Sequence, residues 1–528
     1  MAKRCRTPLA RAAAPLPDSR KAERLAMIAA ACVTWIVFLP ALRGGFLPWD
    51  DQANLVTNRA WRGIGWAQLG WIFSSFHMGH WIPVTWLSFS TDYLIWGMNP
   101  HGYHLTNVLF HSANAGLLCL VTSRLLEAGG THGAARLAGA STAALVFALH
   151  PLRVESVAWV TERRDVLSTF FFLLTLLAYL RAVKPGPAWR SRSYWLGLGT
   201  FALALGSKSI TTSLPAILLI LDIYPLRRVR GAWRACLAEK APFVALSLIA
   251  SIVAMSAVRS GGSASTLAEL GVGQRLAISA YSIIFYLRKT LGPAGLSPLY
   301  ELPVDLDPVS PVYLLSAGSV IAVTAVAVAV RRRSPWLTAA WAAYLVMVLP
   351  VTGLVQNGPQ IAADRYTYLP CLPFAILAGL AVAFLYQWPR TVAAPAVVVA
   401  VLAILTVLQI RIWRDAEALW THALAVSPSA IAHSSMGVVL DEQGKPREAV
   451  AHFEEALRIN PRLVHAQNNW GIALARQGKW EDALAHYEEA LRLNPGYTEA
   501  RLNLAVALER LGRHAEAQQQ TTRARAKP

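Results

Sequence analysis

The feature that most constrains this chain is a series of apolar segments running from residue 25 to residue 411, each separated from the next by a polar connection. A helix needs about 20 apolar residues to cross about 30 Å of hydrocarbon. The candidate spans are 25–42, 104–123, 137–149, 166–182, 194–206, 210–223, 241–258, 274–291, 311–330, 336–353, 369–387 and 391–411. The short ones must tilt or extend into their flanks. The expected fold class is therefore all-α: a polytopic membrane domain over 25–412, followed by a small soluble domain over 413–528 that is rich in Ala, Glu, Gln and Arg. Composition agrees. The chain is 55% hydrophobic and 15% charged, where soluble chains carry nearer a quarter charged residues.

The formal charge of +19 does not point to nucleic acid. Basic residues cluster between the apolar segments, as the positive-inside rule expects. The cysteines (Cys5, Cys32, Cys119, Cys236, Cys371) form no CxxC pair, so neither a disulfide framework nor a zinc site is expected.

Charge also predicts topology. Residues 1–24 carry seven Lys or Arg against Asp18 and Glu23. The apolar run that follows exceeds an ordinary signal-peptide core and has no clean cleavage site. It reads as an uncleaved first helix with a cytoplasmic N-terminus. Counting alternately, the inner connections hold Arg124 and Arg136, then Arg181, Lys184, Arg190 and Arg192, then Arg227, Arg228, Arg230 and Arg234. The register continues to Arg331–Arg332–Arg333 if 274–291, with Arg275, Arg288 and Lys289 near its ends and Tyr281 and Tyr286 along it, lies in the outer interface. This predicts about eleven spans and an outside C-terminus. It also gathers the polar segments 43–103, 150–165, 207–209, 259–310 and 354–368 on the outer face. Charge near membrane depth is costly and marks function or an interface, so five such segments imply a shared cavity.

The C-terminal region repeats. SSMGVVLDEQGKPREAVAHFEEALRINP and NNWGIALARQGKWEDALAHYEEALRLNP stand 34 residues apart. Gly437, Gly444, Phe453 and Pro461 recur as Gly471, Gly478, Tyr487 and Pro495, and Ala505, Leu508, Gly512 and Ala517 continue a third copy. This is the tetratricopeptide (TPR) pattern of helical hairpins. Residues 414–428 resemble the second helix of an earlier repeat, joined to the last span with almost no linker.

The loop 43–103 carries the clearest candidates for chemistry: Asp50 and Asp51, His77 and His80, and the tryptophans Trp49, Trp61, Trp66, Trp71 and Trp81. Either aspartate can cap the helix that QANLVTN would start. Since neighbours point in different directions, one can cap or bind a metal while the other faces the cavity as a base. His77 and His80 lack a third ligand, and hydrogen bonding within an aromatic loop is their expected use. In HPLRVESVAWVTERRD, residues 150–165, Arg163 and Arg164 are either helix-end ion pairs or phosphate ligands. Lys208 either snorkels or meets a phosphate. Asp364 and Arg365 precede the span at 369–387 as a pair near the cavity, and Glu162 and Asp165 are further cavity candidates. No P-loop, GxSxG elbow or GxGxxG fingerprint is present.

Taken in order, FLPWDDQANLVTN, WIPVTWLSFSTDYLIWGMNPHGYHLTNVLFHSANA, FALHPLRVESVAWVTERRDVLS, SKSITTSLPAILLILDIYPLRR and ADRYTYLP, followed by TPRs, resemble the transmembrane-and-TPR (TMTC-like) protein O-mannosyltransferases and their bacterial relatives. That resemblance implies a C-type glycosyltransferase (GT-C) fold. It implies a sugar, mannose in the family, carried on a polyprenyl phosphate to a Ser or Thr hydroxyl of a protein or to a glycan hydroxyl. Asp50 or Asp51 then matches the acidic motif and serves as base for an inverting attack. Arg163, Arg164 or Lys208 would offset the charge of the departing phosphate. The expected setting is a bacterial inner membrane, with the site and the TPR array outside and the array presenting the acceptor. No metal ligands are assigned, and a divalent cation is left open. The alternative is a non-catalytic membrane scaffold for envelope assembly. A transporter is disfavoured because the polar residues lie in loops rather than mid-span.

Overall fold

Every apolar segment becomes a helix. The computed structural model describes residues 19–183, 187–260, 266, 269–356, 358–388 and 393–525. The helices of the membrane domain begin with α1 (Ser19–Phe38), α2 (Trp66–Ser74), α3 (Pro83–Trp96), α4 (Pro100–Ala128), α5 (Gly133–Ala148), α6 (Val154–Ala158), α7 (Arg163–Ala182), α8 (Arg192–Ser207) and α9 (Leu214–Ile223). They continue as α10 (Val229–Ala238), α11 (Ala241–Ser260), α12 (Val272–Leu291), α13 (Pro311–Ala329), α14 (Pro335–Val348), α15 (Leu372–Leu385) and α16 (Ala393–Ile412). A two-stranded antiparallel ribbon, β1 (Tyr300–Glu301) with β2 (Gln360–Ala362), is the one departure from all-α among the described residues.

Among the described residues, six helices are long and apolar enough to cross a membrane, or seven if α5 and the 151–158 segment, bent by 56°, form one span. Eleven full spans are not met by this criterion. The physical reason is length. Helix α9 has 10 residues and α14 and α15 have 14 each, which at 1.5 Å per residue covers only part of the hydrocarbon. The α12 helix is not among the spans. It packs against α13 and α14 instead, with the Tyr281 and Tyr313 rings 5.9 Å apart and the Tyr344 hydroxyl donating to the Ile283 carbonyl at 2.5 Å.

Helix α4 lies at the centre, packed by α1, α5 and α7. Helices α5 and α15 meet backbone to backbone. A Cβ placed on Gly139 would stand 2.6 Å from the Gly379 carbonyl oxygen, so only glycine fits there. Small residues permit such approaches between membrane helices.

Polar segments remote in sequence collect at one end of the bundle. The loop after α1 folds on its own aromatic cluster of Trp61, Trp86, Phe89 and Tyr103. Within it the Trp61 indole N–H donates to the Asn54 carbonyl at 3.0 Å, and the Ser90 hydroxyl donates to the Trp61 carbonyl at 2.6 Å. Residues 151–162 make two 3-10 turns flanking α6, and they lead directly into α7.

The C-terminal array consists of α17 (Ala416–Val426) and three hairpins: α18–α19 (Ala430–Glu442, Pro446–Ile459), α20–α21 (Val464–Arg476, Trp480–Leu493) and α22–α23 (Thr498–Arg510, His514–Arg525). The repeat glycines have two separate reasons. Gly437 and Gly471 leave room for Phe453 and Tyr487, whose rings would lie 2.6 and 2.5 Å from an added Cβ. Gly444, Gly478 and Gly512 turn each hairpin at φ +76, +78 and +78°, a conformation costly for side-chain-bearing residues.

Candidate active site

The two neighbouring aspartates have different surroundings. Asp51 is fully buried. Its carboxylate accepts the Leu47 N–H at 3.0 Å, the Thr161 N–H at 2.9 Å and the Thr161 hydroxyl at 2.6 Å. It caps no helix, so the capping expectation is corrected: its partners lie before it in the loop and across the fold. Burial raises its pKa from 3.8 to about 6, against the pull of these three hydrogen bonds and with a push from Asp50.

Asp50 is half-buried, and no donor among the described residues hydrogen-bonds its carboxylate. Its charged neighbours are Arg164, Arg365 and Glu162. Burial raises its pKa above the ordinary aspartate value, and the two guanidinium groups only partly offset this. A carboxylate that is partly desolvated, unpartnered and above its ordinary pKa can take a proton from a hydroxyl.

Glu162 is the hub of the facing wall. Its carboxylate accepts from Arg164 Nε at 3.1 Å and Nη2 at 2.5 Å and from Lys208 Nζ at 3.0 Å, and it forms an ion pair with Arg365, whose Nε stands 3.3 Å away. Lys208 also donates to Asp165 Oδ1 at 2.7 Å, and Asp165 Oδ2 takes the Ser156 hydroxyl at 3.1 Å. Arg365 pairs with Glu155 through its backbone N–H at 2.8 Å and NH1 at 2.5 Å. Burial lowers the Arg365 pKa, but Glu155, Tyr366 and Glu162 more than offset it and raise it above the ordinary arginine value. Asp364 accepts the Tyr300 hydroxyl at 3.1 Å, and burial, reinforced by Glu155, drives its carboxyl well above the ordinary range.

The arginine pair divides as the aspartate pair does. Arg163 is completely buried and faces away from this wall. Its Nε donates to Asn107 at 2.7 Å, its NH2 to the Tyr103 carbonyl at 2.7 Å, and its NH1 meets Asp92 at 2.5 Å. All three nitrogens are occupied, so the expected phosphate role for Arg163 is corrected to a structural one. Arg164 commits Nε and NH2 to Glu162. That leaves its NH1 group, together with the third ammonium hydrogen of Lys208, able to meet an anion.

The sequence reading gave His80 only a hydrogen-bonding use within an aromatic loop and did not single out Glu155. His80 lies among Arg164, Glu162, Lys208 and Arg365, and burial lowers its pKa to about 3, leaving a neutral imidazole at the wall. It stands three residues from His77, whose ring instead packs on Trp71 and Trp86 at 5.8 and 5.7 Å. Glu155, the partner of Arg365, was lost among the charges of residues 150–165. Only the TERRD cluster that follows it signalled a site. Among the described residues no group of three His, Cys, Asp or Glu side chains could hold a metal ion.

Parts of this sequence resemble known proteins. The tetratricopeptide repeat models match residues 430–463 and 468–528. Human protein O-mannosyl-transferase TMTC1 is 25% identical over 438 residues, covering 73% of this chain and 49% of that protein. The chain is similar to the TMTC protein O-mannosyl-transferases. Mouse TMTC2 is 33% identical over 150 residues, 28% of this chain and 17% of that protein. The chain thus spans at most about half the length of these TMTC relatives. Among solved structures, ArnT from Cupriavidus metallidurans bound to undecaprenyl phosphate is 14% identical. That likeness covers 90% of this chain and 80% of ArnT at a TM-score of 0.39.

Proposed function

We propose that this protein is a membrane glycosyltransferase that moves a sugar, mannose by its likeness to the TMTC proteins, from a polyprenyl-phosphate donor to a Ser or Thr hydroxyl of a protein or to a glycan hydroxyl. The observation that carries this reading is the unpartnered Asp50 carboxylate beside Arg164 and Arg365. A scaffold has no use for that arrangement, so the scaffold reading is not favoured.

In this mechanism Asp50 accepts the proton of the acceptor hydroxyl. The oxygen attacks the anomeric carbon from the face opposite the phosphate. The bond from that carbon to the phosphate oxygen breaks, the configuration inverts, and the electron pair leaves with the lipid phosphate. The NH1 group of Arg164 and the Lys208 ammonium receive the growing negative charge, as fixed cations stabilise developing oxyanions elsewhere. Asp51 does not react. Its hydrogen bonds to Thr161 hold the loop, and therefore Asp50, against the wall that carries Glu162.

The basic inner connections support a site on the outer face, with the N-terminus inside and the array outside; the membrane in this reading is a bacterial inner membrane. A divalent cation is not required by this scheme. The deciding experiment is transfer from polyprenyl-phosphate-mannose by the purified protein in liposomes, with and without Asp50→Asn. Undiminished transfer by Asp50→Asn refutes Asp50 as base, and no transfer by the wild type to protein or glycan acceptors refutes the reading.

A further inference from the structure

The TPR array would ordinarily be taken for a recruiting arm attached to the membrane domain. Its first helices touch the site through two separate routes. Helix α16 ends at Ile412 and α17 begins at Ala416, so no linker decouples them. Trp420 of α17 is 1% exposed and sets its ring edge-on against Trp49, centroids 5.1 Å apart at 60°. Trp49 lies flat on Trp159 at 4.5 Å and 13°. Trp413, at the end of α16, closes the cluster 5.8 Å from Trp159. Trp49 is the residue before Asp50, and the Arg365 guanidinium sits 5.5 Å from the Trp159 ring.

The second route uses the ribbon. The Ile431 N–H at the start of α18 donates to Glu301 Oε2 at 3.0 Å, and His422 Nε2 meets the Leu296 carbonyl at 2.8 Å. Glu301 is in β1, which pairs with β2. Beside Glu301, Tyr300 holds Asp364, the neighbour of Arg365. Both routes therefore end on a side chain, Trp49 or Asp364, whose neighbour in the chain is a charged residue of the site.

We propose that α17 and the start of α18 are a positioning part of the active site, with Trp420 seating Trp49 and so Asp50, and Glu301 seating the strand that leads to Arg365. The inference rests on the glycosyltransferase reading. Its physical basis is the geometry of a flat aromatic stack, which resists tilting, together with the steep loss of rate when a reacting group is misplaced by about 1 Å. An array acting only as a recruiting arm would influence acceptor binding. An array built into the site influences turnover at saturating acceptor.

The test uses the full chain in liposomes, with Trp420→Ala, Trp420→Phe and Glu301→Ala beside wild type and Asp50→Asn. The expected result for Trp420→Ala is a fall in kcat of about tenfold or more with donor KM unchanged, and an acid limb of the pH–rate profile moved to lower pH as water reaches Asp50. Trp420→Phe retains most of the activity. Folded Trp420→Ala protein that keeps kcat within about twofold, or changes only acceptor KM, overturns the proposal. If Trp420→Ala does not fold, Glu301→Ala, which leaves the tryptophans intact, decides by the same measurements. Hydrogen exchange of residues 47–56 supplies a readout independent of activity: faster exchange in Trp420→Ala is expected, and unchanged exchange overturns the coupling. Transfer by the wild type that Asp50→Asn abolishes upholds the parent reading whatever the tryptophan variants do.

Discussion

Asp51 and Thr161 are joined twice, by the Thr161 N–H at 2.9 Å and by its hydroxyl at 2.6 Å, both to the same carboxylate oxygen. The pair fastens the loop after α1 to the turn before α7. Because Asp50 precedes Asp51 and Glu162 follows Thr161, the fastening sets the candidate base opposite the charged wall.

Replacing Asp51 with Asn should loosen that fastening. The amide oxygen can still accept from Thr161, but the amide N–H₂ then confronts the Leu47 N–H. A buried donor left unsatisfied costs about 1–3 kcal/mol, read as a lower thermal midpoint in detergent. The pH dependence has a definite sign. Burial raises the folded-state pKa of Asp51 from 3.8 to about 6, so the folded state binds the proton more tightly. The stability this group contributes is full below about pH 4 and is lost as pH rises through about 6, by about 3 kcal/mol in the limit. The stability of wild type relative to Asp51→Asn should therefore fall between pH 4 and 6. A rise over that window contradicts the assignment.

Asp50→Asn should leave the thermal midpoint and donor KM unchanged and lower kcat by about 10²–10⁴-fold, the usual worth of a positioned base. Since burial raises the Asp50 pKa above 3.8, wild-type turnover should decline on acidification at a pH above the ordinary aspartate value. Single-turnover sugar transfer across a pH series measures it.

The adjacent arginines should behave oppositely. Arg163→Met strands the buried Asp92 carboxylate, which Arg163 meets at 2.5 Å. Removing one partner of such a pair costs about 3–5 kcal/mol, so the expected outcome is loss of folded protein on size exclusion. Arg164→Met leaves Glu162 paired with Lys208 and Arg365. It should fold and raise donor KM or lower kcat by about tenfold or more, the worth of a charge-assisted hydrogen bond.

Gly379→Leu should separate α5 from α15, because a Cβ there meets the Gly139 backbone. Overpacking of this kind costs about 1–3 kcal/mol or more. Gly199→Leu in α8, where an added Cβ meets nothing within 4 Å, is the control and should leave the detergent melting temperature unchanged.

Local pattern made much of this molecule legible. Each apolar run predicts a helix that forms, because a sustained apolar segment between polar connections has few other ways to satisfy its backbone in hydrocarbon. The 34-residue period and its paired glycines place the hairpins, and RDAEALWTHALAVSP predicts the α17 half-repeat. Of the polar segments expected to meet on one face, those carrying Asp50, Glu162, Arg164, Lys208 and Arg365 do converge. Span length was less legible, since α9 begins later, after a 3-10 turn, and α14 and α15 end sooner than their apolar runs suggest.

Read along the line, residue order shows which stretches are apolar, which repeat, and which carry charge. It could not divide labour between Asp50 and Asp51, or between Arg163 and Arg164, because neighbours of one type look alike until their partners are known. Those partners stand far along the chain: Thr161 for Asp51, Asp92 for Arg163, Glu162 for Lys208, Trp420 for Trp49. Only the tertiary structure brings them together. The Asp51 carboxylate, with three hydrogen bonds, is held in place, and Asp50 accepts none from the described residues.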